Sequence, residues 1–303
     1  MNNSFSPIFS GGTGRSGTTI VGKLLGRHSK IKCGKPYEIK FLTDIFSLTD
    51  LAFGMRDFSS QEISKKSRLY LHLMPLSKYE PRLKKFSGKM LNEWYERKNR
   101  LDNNSGLHLG ISKKKIRVLL GELHEGASQD LEGACRQFFY GFVNAQRQYF
   151  GEPNWMDTSP PNIMYASSIY RLLPDAKFIQ MQRNPLDTIA SVIREPWGPN
   201  NFDAALAWWL RRTSIAEASM AQIPEGQKFV LKLEDLVIHD RENSYAKLLD
   251  FLHIEDEEMM RNFFDNEMLA EKLHANRWRR DFSNPDEIKK RFEQAVGVGF
   301  TGR

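Results

Sequence analysis

Residues 7–19, Pro-Ile-Phe-Ser-Gly-Gly-Thr-Gly-Arg-Ser-Gly-Thr-Thr, pass from a short apolar run through four glycines into a helical pattern. Pro7 to Ser10 has the length and composition of a buried strand, and Val21, Leu24 and Leu25 then recur at helical spacing. A strand that ends in glycines and opens a helix gathers free backbone N–H groups and the positive end of the helix dipole at one point. The turn is therefore an anion site. Gly11, Gly12, Gly14 and Gly17 permit close backbone approach, Ser16, Thr18 and Thr19 add hydroxyl donors, and Arg15 adds a cation.

Two further segments share this grammar. In Ala176 to Met181, Phe178, Ile179 and Met181 form a compact apolar run that ends at Gln182 and Arg183. Asn184 can cap the following helix and Pro185 can occupy its first position, with Leu186, Ile189, Ala190 and Ile193 on one stripe. Lys228 to Leu233 is again apolar and β-prone, and passes into Glu-Asp-Leu. Strands of this kind alternating with helices predict an α/β fold, a three-layer doubly wound parallel sheet. Between the first two units, about residues 43–152 have helical composition and read as a helical insertion in one domain spanning 1–303. Within it, Ser112 to Arg117 (SKKKIR) is a basic cluster read as a solvated helix face, and Phe202, Ala205, Leu206 and Trp209 further on read as a core-facing stripe.

Composition limits what the motifs can mean. A chain of 303 residues with 40% hydrophobic and 27% charged side chains has ample core, which argues against a disordered or fibrous protein. The excess of 44 Lys and Arg over 37 Asp and Glu favours anionic partners without choosing among them. Cys33 and Cys135 stand far apart with no CxxC or clustered His, so they read as two reduced thiols, with no metal site suggested. The first residues, MNNSFSPIFSGG, show no basic or apolar leader and no run approaches membrane-spanning length, which predicts a cytoplasmic protein without a membrane span.

Gly12 to Gly17 matches the nucleotide-binding pattern GxxxxGK[ST] until the next position, where Thr18 replaces the lysine and the cation has moved to Arg15. In magnesium-dependent phosphoryl transfer that lysine and the following hydroxyl hold the terminal phosphates and the metal. Its absence weakens an ATPase or nucleotide-kinase reading. Arg15 instead offers a planar fork suited to a phosphosulfate, which needs no bridging metal.

PIFSGGTGRSGTT resembles the 5'-phosphosulfate-binding loop of sulfotransferases that use 3'-phosphoadenosine 5'-phosphosulfate (PAPS), particularly the bacterial and tyrosylprotein-type branches. The resemblance implies a P-loop NTPase-like sheet of the sulfotransferase type. It implies that Gly14, Arg15, Ser16, Gly17, Thr18 and Thr19 hold the 5'-phosphosulfate of PAPS. The product would be adenosine 3',5'-bisphosphate. Arg183 at a strand end, with Ser191 eight positions later, is similar to the family's 3'-phosphate motif; the plainer alternatives are a surface ion pair and a hydroxyl bonding its own helix. Late in the chain, HANRWRRDFS (His274 to Ser283) resembles a family segment that folds over the nucleotide, which implies Trp278 and Arg279 as a lid on the 3'-phosphate and adenine. Val298 to Phe300 is similar to the LGY that ends many bacterial members.

Sulfonyl transfer needs a base for the acceptor's proton. Glu38, in CGKPYEIKF, occupies a position similar to the catalytic glutamate proposed for the tyrosylprotein branch, or is a solvated glutamate paired with Lys35 or Lys40. His28 and His108 are alternatives. WMDTSPPN (Trp155 to Asn162) resembles a family segment whose lysine stabilises the leaving phosphate, yet Thr158 stands where that lysine is expected. Either Thr158 donates a hydrogen bond there or another cation, Arg15 or Lys23, takes over; Asp157 and Ser159 would line the crevice. The acceptor, a small molecule, peptide or carbohydrate bearing a hydroxyl or amine, is not encoded in any pattern recognised here. A non-catalytic binder of anionic polymers, motivated by the charge of +7 and by Lys113 to Lys115, is the second rival.

Overall fold

The computed structural model describes residues 5–33, 35–36, 38–56, 78–98, 105–150 and 154–297, so the Val298 to Phe300 motif lies outside the described residues. Strands β1 (Ile8–Gly11), β2 (Ile31–Lys32), β3 (Asn154–Asp157), β4 (Lys177–Gln182) and β5 (Lys228–Lys232) form one sheet in the order β2-β3-β1-β4-β5. Every pairing is parallel, with Phe9 opposite Phe178 and Ile179 opposite Phe229. The expected parallel α/β sheet is present. β3 was not among the three strands expected: only four residues long and bounded by Asn154 and Asp157, it offers too short an apolar run to read.

Successive strand residues point to opposite faces, and both faces are covered. Ile8, Met156, Ile179 and Met181 meet Val21, Leu24 and Leu25 of α1 (Thr18–Leu25) on one side. Phe9, Trp155 and Phe178 form the other face. They pack against the helices that follow β2: α2 (Leu48–Phe53), α3 (Tyr79–Gly88), α4 (Lys113–Gly126) and α5 (Leu131–Phe150). Phe9 is fully buried, stacked on Phe178 at 5.7 Å and edge-on to Trp155 at 5.8 Å. Burying such a side chain contributes about 1.5–3 kcal/mol. The basic cluster opens α4, where Ser112 caps Lys115 N and only Ile116 of the run is buried, as a solvated face requires.

After β3 come α6 (Ala166–Leu172), then β4, α7 (Pro185–Ile193) and α8 (Phe202–Met220). Asn184 caps α7 by accepting from Leu186 N and Asp187 N, with Pro185 in the first turn. After β5 come α9 (Arg241–Leu252), α10 (Glu258–Glu267), α11 (Ala270–Leu273), α12 (Trp278–Asp281) and α13 (Pro285–Val296). The stripe Phe202, Ala205, Leu206 and Trp209 is buried against α7, α12 and α13. Among the described residues no helix is long and apolar enough to cross a membrane. The order places β1 between β3 and β4, so the strand order reverses beside β1; ligands of open α/β sheets bind at such a point, beyond the carboxyl ends of the strands.

Candidate active site

The turn after β1 is bent by three demands on the backbone: Gly14, Arg15 and Gly17 all have positive φ, at 96°, 58° and 97°. Successive residues in such conformations turn their N–H groups inward and make an anion-binding concavity. Gly12 cannot be replaced cheaply, since a Cβ there would lie 2.3 Å from Ser16 Oγ and 2.6 Å from the Met181 carbonyl oxygen. Ser16 is buried and its hydroxyl has no hydrogen-bond partner. At the start of α1, Gly17 supplies no side-chain cap. An uncapped helix start in such a cradle fits a bound oxyanion, whereas the Ser16 hydroxyl, packed beneath Gly12, does not border the crevice.

Arg15 and Arg183 lie together. Arg183, at the end of β4, donates to the Arg15 carbonyl at 3.1 Å and to the His274 carbonyl at 3.0 Å. Burial pulls its guanidinium below the usual arginine range, opposed by Asp187 and Glu234. Arg15 Nε donates to Ser191 Oγ at 3.0 Å, and its Nη1 pairs with Glu195 at 3.2 Å. The Arg15 side chain, 45% exposed, therefore reaches toward α7 rather than folding over the glycine turn. It spans the two anion sites that the sequence kept separate.

Glu38 also has a strained backbone, φ 52°. Three contacts hold the residue there. Asp157, fully buried, accepts from Ile39 N at 3.0 Å; Ser159 Oγ donates to the Ile39 carbonyl; and Arg97 donates to the Glu38 carbonyl at 2.9 Å. Its carboxylate pairs with Lys40 at 3.2 Å, so the solvated-pair reading and the crevice position hold together. Burial raises the Asp157 pKa, and its hydrogen bonds from Asn162, Ser159 and Ile39 counter that rise. Asp157 is thus a buried brace and does not line the crevice with Glu38. Thr158 is likewise turned away: its methyl carbon would meet a Cβ on Gly22 of α1 at 2.6 Å, and it is not among the crevice-lining residues.

One crevice of about 840 Å³ is lined by Gly14, Arg15, Gly17, Thr18, Thr19, Glu38, Arg183 and Ser191, all but Glu38 from the expected donor-binding set. Eight Lys or Arg residues line it, against one carboxylate, Glu38. Of six non-glycine residues with positive φ among the described residues, Arg15, Glu38 and His274 border this crevice. Backbone strain of about 1–3 kcal/mol per residue persists where surrounding contacts enforce it, and it collects at functional sites.

The late segment is placed differently from its expectation. Trp278 is only 4% exposed, sits in the apolar cluster of α7, α8 and α13, and donates its backbone N–H to buried Asp187 at 2.8 Å. Arg279 is exposed and stacks on Trp278 at 4.7 Å; neither borders the crevice. The apolar surface of the indole explains this, since α12 has no other buried residue to anchor it. Lys272, Leu273 and His274 border the crevice instead, drawn in by the bonds from Arg183 to the Leu273 and His274 carbonyls. His28 is committed to the Lys30 N–H and the Glu255 carbonyl, and His108 to the Tyr95 carbonyl; Lys23 is exposed, and none of the three lines the crevice.

Sequence reasoning missed Arg97, Lys98, Arg194 and Arg212. Arg212 donates Nε to the Thr13 carbonyl at 2.5 Å and lies over the Trp208 ring at 4.9 Å. Burial lowers its pKa to about 10, which leaves it charged. A signal existed: Arg212 stands one turn beyond Trp208 and continues the α8 stripe with a cation.

Known proteins share this fold. The sulfotransferase domain of the curacin biosynthetic pathway superposes with a TM-score of 0.54 at 15% identity, covering 96% of this chain and 97% of its own. The sulfotransferase domain of the Synechococcus PCC 7002 olefin synthase gives 0.51 at 15% identity, covering 96% and 95%. At such identities these likenesses speak for the fold. No curated protein matches the chain in sequence. The profile of the sulfotransferase family, however, matches residues 7–258, which include the glycine turn, Glu38, Arg183 and Ser191, and the chain belongs to that family.

Proposed function

We propose that the crevice transfers a sulfonyl group from PAPS to a hydroxyl or amine of an acceptor. The observation that carries this reading is the convergence of Arg15, Ser191, Arg183 and Glu38 on one cation-rich crevice at the end of β1. The turn from Gly14 to Thr19, with its inward N–H groups and the crevice-lining Thr18 and Thr19, suits the 5'-phosphosulfate. Arg183, with Ser191, suits the 3'-phosphate, and Arg15 stands between them. Trp278 and Arg279 act only at a distance, by anchoring the segment that carries Lys272 to His274.

Glu38 takes the acceptor proton as the new bond from the acceptor oxygen or nitrogen to sulfur forms and the bond from sulfur to the bridging oxygen of the 5'-phosphate breaks. Adenosine 3',5'-bisphosphate leaves. The charge that develops on its 5'-phosphate is met by Arg15 and by the N–H groups of the turn. Thr158 contributes packing against α1 in this scheme, and the crevice cations supply the positive charge that a lysine there would bring.

The test is calorimetric titration of adenosine 3',5'-bisphosphate in the presence of EDTA. Tight binding is expected; binding that instead requires ATP with magnesium would favour a nucleotide kinase. A steep salt dependence without preference for the 3'-phosphate would favour a polymer binder.

A further inference from the structure

The crevice is rich in cations, and not every one of them is matched by a carboxylate. Eight cationic side chains face one carboxylate, and the donor brings about four negative charges, two on its 3'-phosphate and two on its phosphosulfate. Carboxylates outside the lining offset three more of these cations, Glu195 on Arg15, Asp281 on Arg194 and Glu267 on Lys272, whereas Arg212 has no carboxylate partner among the described residues. A cation left unpaired in a partly desolvated cleft is costly unless an anion joins it.

Position identifies where that anion belongs. Arg183 grips the Arg15 carbonyl and the 273–274 segment. Arg212 grips a different point, the Thr13 carbonyl, from α8, with its guanidinium over Trp208 and that ring in turn facing Trp197. Among the described residues its only hydrogen bond is made by Nε, which leaves two Nη groups and their four N–H donors for a ligand. The two guanidinium groups thus have separate backbone anchors, Thr13 for Arg212 and Arg15 with residues 273–274 for Arg183. Arg97 and Lys98, from the helical insertion, border the same crevice.

We propose that the acceptor is itself anionic, carrying a carboxylate, phosphate or sulfate group that Arg212 receives through its free Nη fork while the acceptor's hydroxyl or amine is presented to Glu38. The inference rests on the sulfotransfer reading of the crevice and adds the chemical class of the acceptor. A planar guanidinium matched to a planar oxyanion gives both charge and orientation.

The experiment uses the full chain and a panel of phenol, alkanol and sugar scaffolds, each as a carboxylate and as its neutral amide. Each is titrated into protein saturated with adenosine 3',5'-bisphosphate and assayed with labelled PAPS. At least one carboxylate is expected to bind about tenfold or more tightly than its amide, with the same ratio in kcat/KM. Arg212→Gln should bring that ratio to about one through KM, and Arg212→Lys, which keeps the charge and loses the fork, should keep only part of it. If no carboxylate in the panel outbinds its amide on wild-type protein, the inference is overturned. It is also overturned if Arg212→Gln keeps the advantage of the carboxylate over its amide. Wild-type protein that fails to bind the bisphosphate at all would overturn the sulfotransfer reading instead.

Discussion

Asp157→Asn separates positioning of the base from binding of the donor. The Asp157 carboxylate accepts from Ile39 N at 3.0 Å through Oδ1, and from Asn162 Nδ2 at 2.8 Å and Ser159 N at 3.2 Å through Oδ2. An asparagine keeps only one acceptor oxygen. The least costly orientation keeps the two bonds on the Oδ2 side and turns an NH₂ toward Ile39 N, so that two buried donors face each other. Loss of that bond, with a donor left unsatisfied, costs about 1–3 kcal/mol. A domain with about 5–15 kcal/mol of stability still folds. The freed N–H belongs to the residue after Glu38, whose strained φ depends on that tether. A shift of about 1 Å at a catalytic group lowers turnover by about a hundredfold. Urea unfolding, labelled-PAPS turnover and calorimetry with the bisphosphate read the three consequences. Stability should fall by that amount, turnover by about ten- to a hundredfold, and bisphosphate affinity should stay within about twofold. Unchanged turnover in a measurably destabilised variant would refute the brace, as would affinity that falls in step with turnover.

Glu38→Gln should keep bisphosphate affinity and lower turnover by about a hundredfold or more; intact turnover would remove Glu38 from the chemistry. Trp278→Ala should lower unfolding stability by about 3–5 kcal/mol because the indole is core, while a variant of normal stability that lost donor affinity would restore the stacking role. Burial, with Asp157 nearby, raises the Cys33 thiol to about 12, so native protein should react slowly with a maleimide at pH 8 and speed up only on unfolding. Fast labelling of the native thiol would contradict its environment.

What the sequence disclosed follows from the range of each interaction. The glycine turn, the Asn184 cap, Pro185 and the strand grammar are local, and each was legible from its neighbours in sequence. β3 was too short to declare itself, although the WMDTSPPN segment containing it was singled out by resemblance. The brace from Asp157 to Ile39 joins residues 118 positions apart, and the bond from Arg212 to Thr13 joins residues 199 apart; such pairings exist only once the sheet has formed. Trp278 shows the converse limit: an arginine cluster around a tryptophan has the same local composition whether the ring stacks on a ligand or closes a core. Only the burial of its partners Leu186, Ile189 and Trp209 decides between them.

The central claim is that Arg183 and the glycine turn hold opposite ends of one bisphosphorylated nucleoside. Calorimetry comparing adenosine 3',5'-bisphosphate with adenosine 5'-monophosphate, on wild type and on Arg183→Ala, tests it most directly. Wild type should prefer the bisphosphate by about tenfold or more, and Arg183→Ala should erase that preference while leaving the monophosphate affinity nearly unchanged. Equal weakening of both ligands, or a wild-type protein indifferent to the 3'-phosphate, would contradict it.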